Sequence, residues 1–216
     1  MAKQVICLDL DGTLISTELC HVKAFQDAFT KNGYPSKSNK EIMAKFGIPA
    51  QKIISGFFPK ASKKEVEKIS ADKVQFVIND TYRYAKQIPG VVEALRELKG
   101  SFRLAVITNS NSEEAKLLLS TLKLPSDFFD DVVSADQVEK PKPDADEILK
   151  VERDLKSKVL YVVGDSVYDI KAGKAAGAKT IAVLSGQHSS KQLFSAKPTN
   201  ILKSVADLPD LVFDRL

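Results

Sequence analysis

Cysteine is scarce in this chain: Cys7 and Cys20 are the only two among its 216 residues. A disulfide framework is therefore not expected, and a reducing, cytoplasmic setting is. Histidine is equally scarce, so no His or Cys cluster is available for zinc. No apolar run approaches the roughly 20 residues that a bilayer span needs. No basic, apolar and small-residue leader is read ahead of the first strand. The net charge is a modest +4, and lysines alternate with acids, as in Lys63-Lys64-Glu65. Neither a nucleic-acid partner nor a membrane partner is expected from that pattern. Internal repeats and low-complexity segments are also missing. What remains is 44% hydrophobic and 28% charged, ordinary for a globular chain with one large domain or a core plus a small insert.

The stretch Val5-Ile6-Cys7-Leu8-Asp9-Leu10-Asp11-Gly12-Thr13 is the most informative one present. A continuous apolar run suits a parallel strand buried on both faces. Carboxylates are costly inside such a strand, so Asp9 and Asp11 belong at its carboxyl end. In open α/β sheets that edge is where ligands bind.

For about seventy residues after Thr13 the pattern is helical. Leu19, Val22, Phe25 and Phe29 recur at helical spacing, with Gly33 as a stop. Short pieces are expected over Ser38–Phe46 and from Pro49. Ser62-Lys63-Lys64-Glu65 is a capping box that opens a longer helix. Residues 15–87 thus read as an all-helical insert with no strand. From Pro89 strands and helices alternate. Pro89–Lys99 is a helix that Gly100 ends, and Leu104–Ile107 is a strand ending in Thr108-Asn109-Ser110. Ser110 to Glu113 reads as a second capping box. Strands follow at Asp131–Ser134, Val159–Val163 and Thr180–Leu184, the fifth. The tail from Gly186 is less regular, with a short helix near Val205. This alternation predicts an α/β fold with right-handed crossovers and a parallel sheet.

Three strand ends on one sheet edge then gather Asp9 and Asp11, Thr108 and Asn109, and Asp165. With Asp169 they make an oxygen-rich site suited to a hard cation such as Mg²⁺ beside a phosphate. Asp165 and Asp169 also suit a helix N-terminus by charge. Thr108, Asn109 and Ser110 stand at a strand-to-helix turn able to face an anion, and Ser110 suits a simple cap. Lys140, in Glu139-Lys140-Pro141-Lys142-Pro143, lies in a loop that prolines stiffen. It reads equally as a positioned cation and as an exposed loop lysine.

These residues resemble the haloacid dehalogenase-like superfamily. DLDGT at 9–13 is similar to its first motif, Thr108 in ITNS to the second, Lys140 in EKPKPD to the third, and GDSVYD at 164–169 to the fourth. The resemblance implies a Rossmann-like three-layer core over 1–14 and 88–216, with a helical cap over 15–87 that selects substrate. It implies Asp9 as nucleophile and Asp11 as general acid and base. It implies Mg²⁺ held by Asp9, the main-chain carbonyl of Asp11 and Asp165, with Asp169 as supporting acid. Thr108 and Lys140 would hold phosphoryl oxygens, Asn109 would join them at the phosphate, and His21 on the first cap helix would contact substrate.

Within that family, members that act on carbon–halogen bonds lack the second aspartate, so Asp11 favours phosphoryl transfer. A Schiff-base lysine would have to be Lys23, Lys37 or Lys45, which read better as solvated lysines. The expected activity is a Mg²⁺-dependent phosphatase for a small phosphorylated metabolite, of the phosphoglycolate-phosphatase type. The alternatives are a β-phosphoglucomutase-type mutase, an inorganic pyrophosphatase and, last, a non-enzymatic binding protein. A monomer or weak homodimer is expected.

Overall fold

The computed structural model describes residues 3–214. The first strand, β1 (Val5–Leu8), is buried along its whole length. Its side chains alternate between two cores, Ile6 and Leu8 on one face of the sheet and Val5 and Cys7 on the other, as a strand's period of two requires. That explains the unbroken apolar run.

The chain then leaves the sheet. A two-residue strand β2 (Ile15–Ser16) pairs antiparallel with β3 (Lys86–Gln87). Between them lie α1 (Glu18–Lys31), α2 (Asn39–Met43), α3 (Ala50–Phe57) and α4 (Lys63–Asn79). The insert over 15–87 is therefore not all-helical, because its two ends zip together. Two-residue strands are too short to leave a periodic signature. The helices have their own core of Phe25, Phe29, Ile42, Ile54, Phe58 and Ile69. Ser62 and Glu65 form the expected capping box of α4.

After β3 come α5 (Val91–Ser101), β4 (Arg103–Thr108), α6 (Ser112–Ser120), β5 (Asp131–Ser134) and α7 (Asp146–Leu155). They are followed by β6 (Val159–Gly164), α8 (Val167–Ala175), β7 (Lys179–Val183), α9 (Ser190–Ser195), β8 (Asn200–Leu202) and α10 (Leu208–Phe213). Gly100 lies inside the last turn of α5 rather than ending it. A sixth strand, β8, pairs parallel to β7 at the sheet edge. The expectation of five strands missed it because its three residues are only half-buried.

The sheet order is β5-β4-β1-β6-β7-β8, and all of its pairings are parallel. The chain builds outward from β1 through β4 to β5, then crosses to β6 and builds outward on the other side. The crossing opens a crevice at the carboxyl ends of β4, β1 and β6. Register fixes what lies there. Leu8 is opposite Val106 on β4 and Val163 on β6, so Asp9, Thr108 and Asp165 follow at one edge.

Candidate active site

A cavity of about 600 Å³ lies over that edge, floored by the strand ends and roofed by the insert. Asp9 is held first by its backbone. Its amide donates to the Val163 carbonyl at 2.9 Å, which extends the β1–β6 ladder by one residue. The Thr13 hydroxyl donates to Asp9 Oδ2 at 3.3 Å and accepts from the Asp165 amide at 3.1 Å. The turn that brings Thr13 back needs Gly12, whose φ is +79°, a region open to glycine at little cost.

Lys142 enters this floor from the loop before α7. Its ammonium donates to Asp9 Oδ1 at 2.6 Å, Asp169 Oδ1 at 2.7 Å and the Ile107 carbonyl at 3.1 Å. All three donors of a lysine are thereby used, and the side chain is 2% exposed. The expectation for Lys140 is corrected: that side chain is exposed, and its backbone amide donates to Asp146 Oδ2. Both lysines precede a proline in the same short loop, but only Lys142 has a proline on each side, and its position relative to the sheet edge brings it into the site.

Asp9, Asp165 and Asp169 bring carboxylate oxygens within 4.8 Å of one another. Asp169 is further held by the amide and hydroxyl of Ser166, in the capping box that starts α8. Asp165 Oδ2 accepts from the Gln187 amide at 3.0 Å. A Cβ on Gly12 would stand 2.8 Å from that oxygen, and one on Gly186 only 1.7 Å. The two glycines thus leave the carboxylate room that any other residue would fill. Burial pushes the Asp165 carboxyl up to about 8, with the nearby Asp169 adding to it. Burial also raises Asp9 well above the usual range. Lys142 opposes that shift, and Asp169, Asp165 and Asp11 reinforce it. One ammonium faces three buried acids here. The excess negative charge and all-oxygen donor set fit a hard divalent cation.

Asp11 faces the roof. Its Oδ1 meets His21 Nε2 at 2.7 Å and the Thr17 hydroxyl at 2.7 Å. Its Oδ2 accepts from the hydroxyls of Ser110 at 2.8 Å and Thr108 at 3.3 Å. Burial alone would raise the Asp11 carboxyl. The His21 imidazole and these hydrogen bonds outweigh burial and hold it below the ordinary range. His21 lines the cavity, yet its ring nitrogen is committed to Asp11.

Ser110 is a correction. The cap of α6 is Asn111, which accepts from the Glu113 amide, while Glu114 accepts from the Asn111 amide. The box lies one residue further on than expected, and Ser110 is released to bind Asp11. The Asn109 side chain is not turned toward an anion. Its amide donates to the carbonyls of Gly47 at 2.7 Å and Lys142 at 3.1 Å, so it fastens the roof to the floor. Gly47, with φ +94°, packs so closely on Tyr168 that a Cβ would lie 2.6 Å from the ring. Lys23, Lys37 and Lys45 do not line the cavity.

The chain's relatives agree with this architecture. The profile of the family described as "Haloacid dehalogenase-like hydrolase" matches residues 6–183. The chain is 33% identical to "Probable phosphatase IndB" of Dickeya dadantii, over 95% of this chain and 92% of that protein. It is 29% identical to "Pyrophosphatase PpaX" of Bacillus thuringiensis, over 99% and 98%. A hydrolase from Pseudomonas syringae superposes with a TM-score of 0.86 at 23% identity, covering 99% of each chain. A predicted phosphoglycolate phosphatase from Haemophilus somnus gives 0.85 at 21%, covering 97% and 98%. At those identities the two solved structures speak for the fold.

Proposed function

From the premise that the chain belongs to the haloacid dehalogenase-like hydrolase family and is a phosphatase of that family, we propose that it hydrolyses a small phosphorylated metabolite through an aspartyl-phosphate on Asp9. One observation carries this reading: Asp9 is held by Lys142 at 2.6 Å within a cluster of acids, while Asp11 stands apart with a proton partner. One carboxylate is thereby placed for attack and the other for proton transfer.

Asp9 Oδ1 or Oδ2 attacks phosphorus, and the leaving oxygen takes a proton from Asp11. The contact between Asp11 Oδ1 and His21 Nε2 at 2.7 Å would orient the Asp11 carboxyl for that transfer. Asp11 then takes a proton from the water that attacks the aspartyl-phosphate, and phosphate and Asp9 are restored. Asp9, Asp165 and the main-chain carbonyl of Asp11 would hold Mg²⁺, with Asp169 in support. The ion would supply positive charge to phosphoryl oxygens crowded among carboxylates. Lys142 would hold Asp9 in place for attack, and the Thr108 hydroxyl would orient those oxygens. Residues 15–87 act as a cap that excludes water and selects the leaving group. Two free buried cysteines suit a reducing compartment.

A phosphate-release screen over small phosphomonoesters and pyrophosphate, with and without Mg²⁺, tests the reading. Metal-dependent release is expected, and the absence of release from every ester contradicts it. Pyrophosphate is included because relatives at 29% identity carry the name pyrophosphatase.

A further inference from the structure

The cap and the core meet in a buried ion pair on the cavity wall. Lys73 of α4 donates to Glu114 Oε1 of α6 at 2.7 Å, and the two residues are 3% and 1% exposed. The Lys73 ammonium also lies 5.3 Å from the centroid of the Phe25 ring. Both partners line the cavity that holds Asp9. Among the described residues lining it, the lysines are Lys142, Lys73 and Lys52. Lys142 is spent on Asp9 and Asp169, and Lys52 is exposed. The acids Glu18, Glu67, Asp136 and Glu139 line the same cavity. A substrate's second anionic group would therefore meet a cation already neutralised, together with several carboxylates.

We propose that Glu114, by neutralising Lys73, makes this enzyme select phosphate monoesters whose leaving group is uncharged or cationic, and reject those carrying a second anion. The inference rests on the phosphatase reading and names the substrate class within it. Specificity of this kind works by repulsion and desolvation as much as by attraction. Glu114 is a specificity residue, separate from the reacting groups. Its other oxygen accepts the Asn111 amide at 3.3 Å, a capping role that glutamine also fills. Glu114→Gln therefore keeps the helix start while leaving Lys73 without a counter-charge.

The test is a matched pair, 2-hydroxyethyl phosphate and 2-phosphoglycolate, which differ in a hydroxymethyl against a carboxylate. Each is read by kcat/KM and by competition against p-nitrophenyl phosphate. The wild type should prefer 2-hydroxyethyl phosphate by about tenfold or more, and Glu114→Gln should move the ratio toward phosphoglycolate by about tenfold. If that variant fails to fold, the double variant Lys73→Met, Glu114→Met removes both charges together and frees no cation, so its ratio should stay within about threefold of the wild type's, and a larger move toward phosphoglycolate overturns the inference. Equal or greater wild-type preference for phosphoglycolate overturns the inference, as does an unchanged ratio in folded Glu114→Gln. If even p-nitrophenyl phosphate is left intact, the phosphatase reading falls and this inference with it.

Discussion

The floor of the cavity is made of strand ends, and its roof of helices and a loop. On the floor, Asp9, Thr108 and Asp165 owe their places to parallel register: Leu8 lies opposite Val106 and Val163, and the acids and the threonine follow. A shift of one residue would turn every side chain to the other face. The roof has no such ladder. It is seated by the β2–β3 pair, the Asn109–Gly47 hydrogen bond, the Lys73–Glu114 pair and the contact of His21 with Asp11. The roof is also held by apolar packing, with Cys20, Ala24 and Val77 buried in the main core. On the proposed reading, chemistry belongs to the floor and choice of leaving group to the roof.

Substitutions on the two sides should separate accordingly. The largest effect belongs to Asp9→Asn, which should lower kcat by at least about 10⁴-fold in steady-state assays while far-UV circular dichroism stays native. Next comes a paired test on one loop. Lys142→Ala should lower kcat about 10²–10³-fold and destabilise the fold by about 3–5 kcal/mol, because it leaves buried acids without their counter-charge. Lys140→Ala should leave activity within about twofold, as is usual for an exposed residue away from the site. Equal losses from both would break the assignment of the floor.

On the roof, His21→Gln should cost about 10- to 100-fold in kcat. Because the imidazole is what helps hold the Asp11 carboxyl low, its removal should move upward the limb of the pH–rate profile that Asp11 sets. A loss no larger than that of Lys140→Ala would show that the roof takes no part in proton transfer.

A further effect is on stability rather than rate and lies beneath the floor, at Glu147 in the first turn of α7. Its side chain is fully buried, and burial pushes it up to about 7, with Lys142 opposing the shift. The native state then holds a proton that the unfolded chain has already lost, so stability falls as pH rises from about 4.5 to 7. Glu147→Gln should match the wild type near pH 5 in chemical denaturation. It should gain up to about 3 kcal/mol by pH 8. A difference that is independent of pH would contradict that account.

The legibility of the sequence follows the same division. The motifs at strand ends were readable because an apolar run that stops at a polar residue locates a sheet edge. Asp9, Asp11, Thr108 and Asp165 all declare themselves that way. Where the local chemistry is degenerate, reading fails. Lys140 and Lys142 both sit in Lys-Pro steps, and the folded loop chooses the second. Ser110 and Asn111 are both good caps, and the choice of Asn111 is what frees Ser110 for Asp11. The pairing of Lys73 with Glu114 joins residues 41 apart in sequence, and no periodicity announces it. Glu147, an acid in a helical first turn, reads as a favourable surface charge until packing buries it.

The central claim is that Asp9 becomes phosphorylated during turnover, and rapid acid quench with a ³²P-labelled phosphomonoester substrate tests it most directly. The label should appear on the peptide containing Asp9 within a single turnover, decay as phosphate is released, and be absent from Asp9→Asn. Phosphate release with no labelled protein, or with label on another residue, would contradict it.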